Sequence, residues 1–216
     1  MQKYRESIAH DPGNPVFHFL LAESHVATGE TDQAIQEWTA TAQLRPSWPL
    51  PLYRISRTCS AMGRYAEALR AADGLRVIED PRWGVAYAVA LYGVIAPSPD
   101  VATSKAGEQL LDLLSQIRKT WPAEPDTLPL YVSLLARRGQ REKATETARA
   151  ALALRPPLSD DVLTRLARAS DQEHLGLSQL ILDKAEQVHG TNPAVALARA
   201  RALYASGKKD DALSLL

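Results

Sequence analysis

The chain has 216 residues, 45% of them hydrophobic and 23% charged, with 25 basic side chains against 25 acidic ones and a single cysteine. Such a length can bury a sizeable core, zero net charge supplies no global field to draw the chain onto nucleic acid or an anionic membrane, and one cysteine excludes an internal disulfide. The uncharged run from Trp83 to Pro99 is shorter than the roughly 20 apolar residues of a spanning helix and is interrupted by Gly84, Gly93 and two prolines, while Met1–Pro12 is polar and carries no apolar stretch. Neither a membrane-inserted segment nor a secretory signal is read here, and localisation stays open between cytoplasm and periplasm.

The first unit, residues 1–14, reads as the end of a helix, with Tyr4 its large residue and Pro12 its stop. From there prolines recur: Pro12, Pro46, Pro81, Pro122, Pro156 and Pro193 lie 34, 35, 41, 34 and 37 residues apart. A second ruler agrees, since Gly29–Ala34, Gly63–Ala68, Gly139–Ala144 and Gly207–Ala212 each place Ala five residues after Gly. A period near 34 marks a helix–turn–helix solenoid. Each mark has a cause: Gly closes the first helix in a left-handed turn, Ala lets two helix axes approach, and Pro stops the second helix.

Residues 15–48 carry Leu21 and Ala22 on the first helix, Gly29 in the turn, and the stripe Ala34, Ile35, Trp38, Ala42, Leu44 on the second. Residues 49–82 repeat this with Ile55, Ser56, Gly63, Tyr65 and Ala68, and stop at Pro81. In the unit 83–124 a helix over Trp83–Ile95 is followed by the loop Ala96-Pro97-Ser98-Pro99-Asp100 and a long second helix from about Val101 to Thr120. Residues 125–158 return to the pattern through Gly139, Ala144, Ala148, Ala151 and Pro156. The unit 159–192 diverges: Ser159 is its N-cap before Asp160 and Asp161, Glu173 stands where the turn Gly belongs, and Ser178 takes the small contact. Residues 193–216 match through Ala200, Leu203, Gly207 and Ala212, and their second helix stops after about two turns. Both ends read as cut through a repeat, so an excerpt of a longer array is expected.

These marks together resemble the tetratricopeptide repeat over nearly the whole chain. The resemblance implies an all-α fold, a right-handed superhelical solenoid of stacked antiparallel helix pairs forming one domain. It also implies a non-catalytic scaffold that takes a protein or peptide partner, with no cofactor. In this family the fifth position of a first helix lines the concave groove, and Phe19, Tyr53 and Tyr87 stand there at intervals of 34. Arg54 and Arg57 lie on the same face, with Glu23 equivalent to Arg57, so the candidate groove is Phe19, Glu23, Tyr53, Arg54, Arg57 and Tyr87. The competing reading is that the rings only pack against the next helix. The Lys and Asn rungs that hold acidic C-terminal tails in the carboxylate-clamp subclass are absent.

Other chemistry is thinly represented. His25 and Cys59 are equivalent positions 34 apart, yet both normally fill the core and no close ligand pair accompanies them, so no metal site is predicted. The basic cluster Arg137, Arg138, Arg141, Lys143, Arg149 and Arg155 reads as a solvated helix end rather than a nucleic-acid face. The alternative function is a structural module that self-associates through its cut ends, within a larger protein of the bacterial envelope or of exopolysaccharide export. A regulatory part of an enzyme, with its catalytic domain elsewhere, comes third.

Overall fold

The computed structural model describes residues 1–122, 124–190 and 192–215, and residue 102 by its backbone alone. Thr191 and Leu216, on which the last two repeats were expected to border or close, lie outside the described residues. The described chain is all-α, with thirteen α-helices and one 3-10 turn, as the repeat pattern predicts. It divides into two compact units, Met1–Pro97 and Ser98–Leu216, and the boundary falls in the inserted loop of the repeat at 83–124.

The first unit comprises α1 (Gln2–His10), α2 (Pro15–Ala27), α3 (Thr31–Leu44), α4 (Pro49–Ala61), α5 (Tyr65–Val77) and α6 (Trp83–Ile95). The start of α2 is fixed by Asn14, whose side chain accepts from the Val16 N–H at 3.1 Å, and by Pro15 at the first helical position, where a missing N–H costs nothing. The turns to the second helices are closed by Gly29 at φ 78° and Gly63 at φ 74°. Just past each glycine a backbone N–H returns to the first helix, Glu30 to the His25 carbonyl at 2.9 Å and Arg64 to the Cys59 carbonyl at 2.8 Å. Each turn therefore satisfies carbonyls that the helix end leaves open.

The core follows from the same period. Ala22, Ala34, Trp38, Cys59 and Ala68 are buried in one cluster with Ile35 and Ile55. Ala34 and Ala68 have no exposure at all, which lets α2 close on α3 and α4 on α5. The Ser56 hydroxyl, itself buried, donates to the Ala68 carbonyl at 3.0 Å and ties α4 to α5. Helix α6 packs on both α4 and α5. Its Gly93 admits the Tyr65 ring so closely that an added Cβ would stand 2.1 Å from a ring carbon.

The second unit holds the 3-10 turn Pro99–Ala102, then α7 (Lys105–Thr120), α8 (Leu128–Arg137), α9 (Arg141–Ala151), α10 (Asp160–Gln172), α11 (Ser178–His189), α12 (Pro193–Ala205) and α13 (Lys209–Leu213). Here three expectations are corrected. Helix α7 begins at Lys105, not Val101, because the Ser104 hydroxyl caps the Gly107 N–H at 3.1 Å and the preceding residues wind into the 3-10 turn. Glu173 is not the turn residue: His174 is, at φ 51°, followed by a Leu175 N–H bonded to the Ser170 carbonyl at 2.8 Å. Pro193 does not stop a helix but opens α12, behind an Asn192 cap that repeats the Asn14–Pro15 start. Ser159 occupies the N-cap of α10 as expected, without a side-chain capping bond.

Candidate functional site

All six groove candidates lie in the first unit, on α2, α4 and α6. Phe19, Tyr53 and Tyr87 are each half-buried, neither sealed into the core nor standing free. The inner side of each ring packs on the stack: Phe19 against the cluster around Trp38, and Tyr53 and Tyr87 against Ala72, Leu75 and Ala86. Their packing shares in the competing reading, and their exposure leaves the groove reading standing.

The charges connect neighbouring helices. Arg54 of α4 donates to Glu23 of α2 at 3.2 Å. Arg57 donates to the Tyr53 hydroxyl at 3.2 Å, one turn back on the same helix, with its guanidinium 5.8 Å from the ring centre. Glu23 keeps its other oxygen, Oε1, shielded from solvent and without a hydrogen-bond partner among the described residues. Helix α2 also leaves Val16, Leu20 and Val26 exposed, the last by 47%.

Three further residues belong to this face and were not singled out from sequence. Trp48 meets the Phe19 ring at 4.8 Å between centroids, and Arg45 lies over Trp48 at 5.8 Å. Arg82 lies over the Tyr53 ring at 4.9 Å. Trp48 and Arg82 are the N-cap residues of α4 and α6 and stand 34 apart. The rings of Phe19 and Tyr53 are thus each partnered by the residue that opens the next helix pair, 29 positions on. The 34-residue ruler could have found them, had it been applied to loop positions as well as helical ones. Trp83 adds an edge contact to Tyr87 at 6.3 Å.

Arg82 is held in place from below. Its Nε and Nη2 donate to Asp80 at 2.8 Å each, and its backbone N–H donates to the same carboxylate at 2.9 Å. The Arg82 guanidinium holds the Asp80 carboxyl below the usual carboxylate range, against the opposing effect of burial. Two parallel charge-assisted bonds fix the plane of the guanidinium as well as its position.

The histidines and the cysteine serve the framework. His18 Nδ1 is 2.7 Å from Glu37, and buried His25 is 2.5 Å from Glu30, whose carboxyl that hydrogen bond draws downward. Burial pushes the Cys59 thiol up. The basic cluster is partly spent on the α8–α10 contact. Arg137 and Ser133 hold the Glu173 carboxylate at 2.9 and 2.5 Å, and Arg141 donates to the Glu173 and His174 carbonyls at 3.0 and 2.6 Å. Arg141 thereby satisfies carbonyls at the C-terminal end of α10, where a cation is favourable. None of the helices among the described residues is long and apolar enough to cross a membrane.

Comparison with known proteins shows what this geometry is similar to. A tetratricopeptide repeat model matches residues 15–38 and 193–216, each beginning at the proline that opens a first helix. Among solved structures, a thermophilic tetratricopeptide-repeat protein of Thermus thermophilus is similar at 21% identity and a TM-score of 0.59, covering 93% of this chain and 96% of its own. YrrB, described as a tetratricopeptide-repeat protein with an unusual peptide-binding site, is similar at 13% identity and a TM-score of 0.54, covering 91% and 97%. These two likenesses are of fold. No match is found among curated proteins.

Proposed function

We propose that this chain, a tetratricopeptide-repeat protein, is a protein-interaction scaffold that holds a peptide or helix of its partner along Phe19, Glu23, Tyr53, Arg54, Arg57 and Tyr87. The observation that supports the reading most is the row of half-exposed rings at one repeat position, each flanked by a fixed cation or a second ring. Rigid aromatic surface gives large contact area at low entropic cost, and arginine adds directional donors. The exposed Val16, Leu20 and Val26 suit a partner that brings apolar side chains. The peptide-binding site named for YrrB is compatible with such a use of the fold.

The test uses peptides selected on the full chain from a random displayed library, then titrated by calorimetry. Changing Tyr53 and Arg57 together to Ala is expected to cost about 2 kcal/mol for each residue, with helix content unchanged. Undiminished affinity in that variant would refute the groove.

A second reading rests on the last helix pair. Tyr204 is 62% and Leu213 71% exposed, beside an apolar hollow of about 210 Å³ lined also by Leu197 and Ala200. Such a surface suits self-association as a structural module, the role open to a repeat protein of a bacterial envelope or export assembly. Sedimentation at rising concentration decides it: a constant monomer mass excludes it.

A further inference from the structure

The turn glycines Gly63 and Gly139 stand 76 residues apart, so each position around α8 and α9 has a counterpart 76 earlier. Four of these positions differ in a concerted way. Arg118 stands where the first unit has Ala42, Tyr131 where it has Ile55, Thr147 where it has Ala71, and Ala151 where it has Leu75. Ile55, Ala71 and Leu75 are buried core in the first unit. In the second unit three apolar positions are polar and the fourth has lost its bulk. The result is a hollow of about 370 Å³ bounded by α7, α8 and α9, with α7 and α9 both packed on α8. Small-molecule sites run from about 300 to 1,000 Å³, so the hollow suits a compact ligand.

Its polar side chains are uncommitted. Arg118 donates from Nη1 to the Glu124 carbonyl at 3.1 Å and makes no other hydrogen bond or ion pair among the described residues. Burial draws its guanidinium down from the ordinary arginine value, opposed by the Glu124 carboxylate and the Tyr131 phenol. Glu124 is occupied elsewhere: its carboxylate accepts from the Asp126 N–H at 3.1 Å, the Thr127 N–H at 2.7 Å and the Thr127 hydroxyl. The side chains of buried Tyr131, half-buried Thr147 and exposed Glu146, which also line the hollow, have no hydrogen bond or ion pair among the described residues. Polar groups placed in a core position without a partner are costly to folding and call for a ligand to satisfy them.

We propose that this hollow is a binding site for a free α-amino acid with an aliphatic side chain. Arg118 and the Tyr131 hydroxyl take the carboxylate, Glu146 and the Thr147 hydroxyl take the ammonium, and Pro122, Ala150 and Leu154 face the side chain. A guanidinium fork matches a carboxylate, and a carboxylate with a hydroxyl can accept from an ammonium. Glu146 repels a plain anion and Arg118 a plain cation, so the lining favours a ligand carrying both charges. A peptide terminus brings one of the two; a free amino acid brings both on one carbon. Ala151 leaves the room that Leu75 fills in the first unit. Arg118, Glu146 and Thr147 stand on second helices of their repeats, whereas all six groove residues of the first unit stand on first helices, so the two sites are distinct.

The experiment uses the full chain, nitrogen-15-labelled, and three probes: leucine, N-acetyl-leucine, which lacks the ammonium, and leucinamide, which lacks the carboxylate. Leucine is expected to move the side-chain Nε–Hε signal of Arg118 and to bind by calorimetry. Each blocked probe should bind about tenfold more weakly or worse, for loss of charge-assisted hydrogen bonds. Tyr131→Phe and Glu146→Gln, which keep the packing volume, should each weaken leucine by about threefold or more. Ala151→Leu should fill the hollow and abolish binding. Tyr53→Ala with Arg57→Ala should leave it unchanged, so this site and the first unit's groove can fail separately. No binding of leucine, N-acetyl-leucine or leucinamide bound as tightly as leucine, or full affinity in both Tyr131→Phe and Glu146→Gln would each overturn the assignment.

Discussion

Two helix pairs, α2–α3 in the first unit and α8–α9 in the second, carry their bulk on opposite helices. In the first, the turn residue Gly29 is followed nine positions later by Trp38, 1% exposed, in one cluster with the small Ala22 of α2. In the second, the position nine after Gly139 is Ala148, and the helix opposite is large: Tyr131, Val132, Leu134 and Leu135 of α8 are all buried. The bulk that fills the pair has changed helix. This explains why the small residue five after the turn glycine, Ala34 or Ala144, is kept in both units with zero exposure. It sets how closely the axes approach, and the bulky residue need only fill what remains.

The sharpest way to break this comparison is Trp38→Ala. Removing a large buried ring is expected to cost about 3–5 kcal/mol. Contacts in a repeat stack run between neighbours, so the loss should stay in the first unit, and hydrogen exchange should show α2 to α5 opening while α8 to α11 keep their protection. Equal loss in both units would mean that they unfold as one body. Next in size are Ala34→Leu and Ala144→Leu, each expected to cost about 1–3 kcal/mol by overpacking. Denaturant midpoints measured for both should fall together. If Ala144→Leu melted like the parent chain, α8 and α9 would not be closely approached at that point.

A smaller effect concerns the turns. Gly63→Ala places a side chain at φ 74° and is expected to cost about 1 kcal/mol. His174→Gly relieves the same strain at φ 51°, and should stabilise by less than that, since glycine also gives the unfolded chain more freedom. Opposite signs in the two melting temperatures would sharpen the equivalence of the positions, and a drop in both would break it.

Why the ruler read the first unit so well and the second less so is visible in these residues. Helix α6 falls on Trp83–Ile95 as expected, because the units at 15–48 and 49–82 repeat with no insertion before it. After it, the prolines at 97 and 99 and the Ser104 cap set the chain by local rules the period does not contain. His174 was missed because φ alone made it a turn residue, and no residue type but glycine or asparagine announces that. Of the candidate site, the rings Phe19, Tyr53 and Tyr87 were legible, since a fixed helical position repeats in plain sequence. Their partners Trp48 and Arg82 repeat equally well, but in loops, where helical periodicity gives no reason to look.

The smallest effect tests how the aromatic face of the first unit is held, a device with no equivalent seen among the described residues of α10 and α12. Asp80 is 9% exposed and grips Arg82 over the Tyr53 ring. Because the Arg82 bond depresses the Asp80 carboxyl in the folded chain, the unfolded chain takes up the proton first as pH falls. The contribution is therefore present above the unfolded value, about 4, and is lost as pH drops through the lower folded value. Arg82 is 38% exposed, so water screens the pair and less than about 1 kcal/mol is expected from it. Asp80→Asn should lower the stability of the first unit at pH 7 by that small amount and reduce its acid sensitivity below about pH 4, with the fluorescence of Tyr53 reporting release of the guanidinium. An Asn variant whose stability fell with acid as steeply as that of the parent chain would show that Asp80 does not carry this dependence, and the clamp on Arg82 would then have to be held by packing alone.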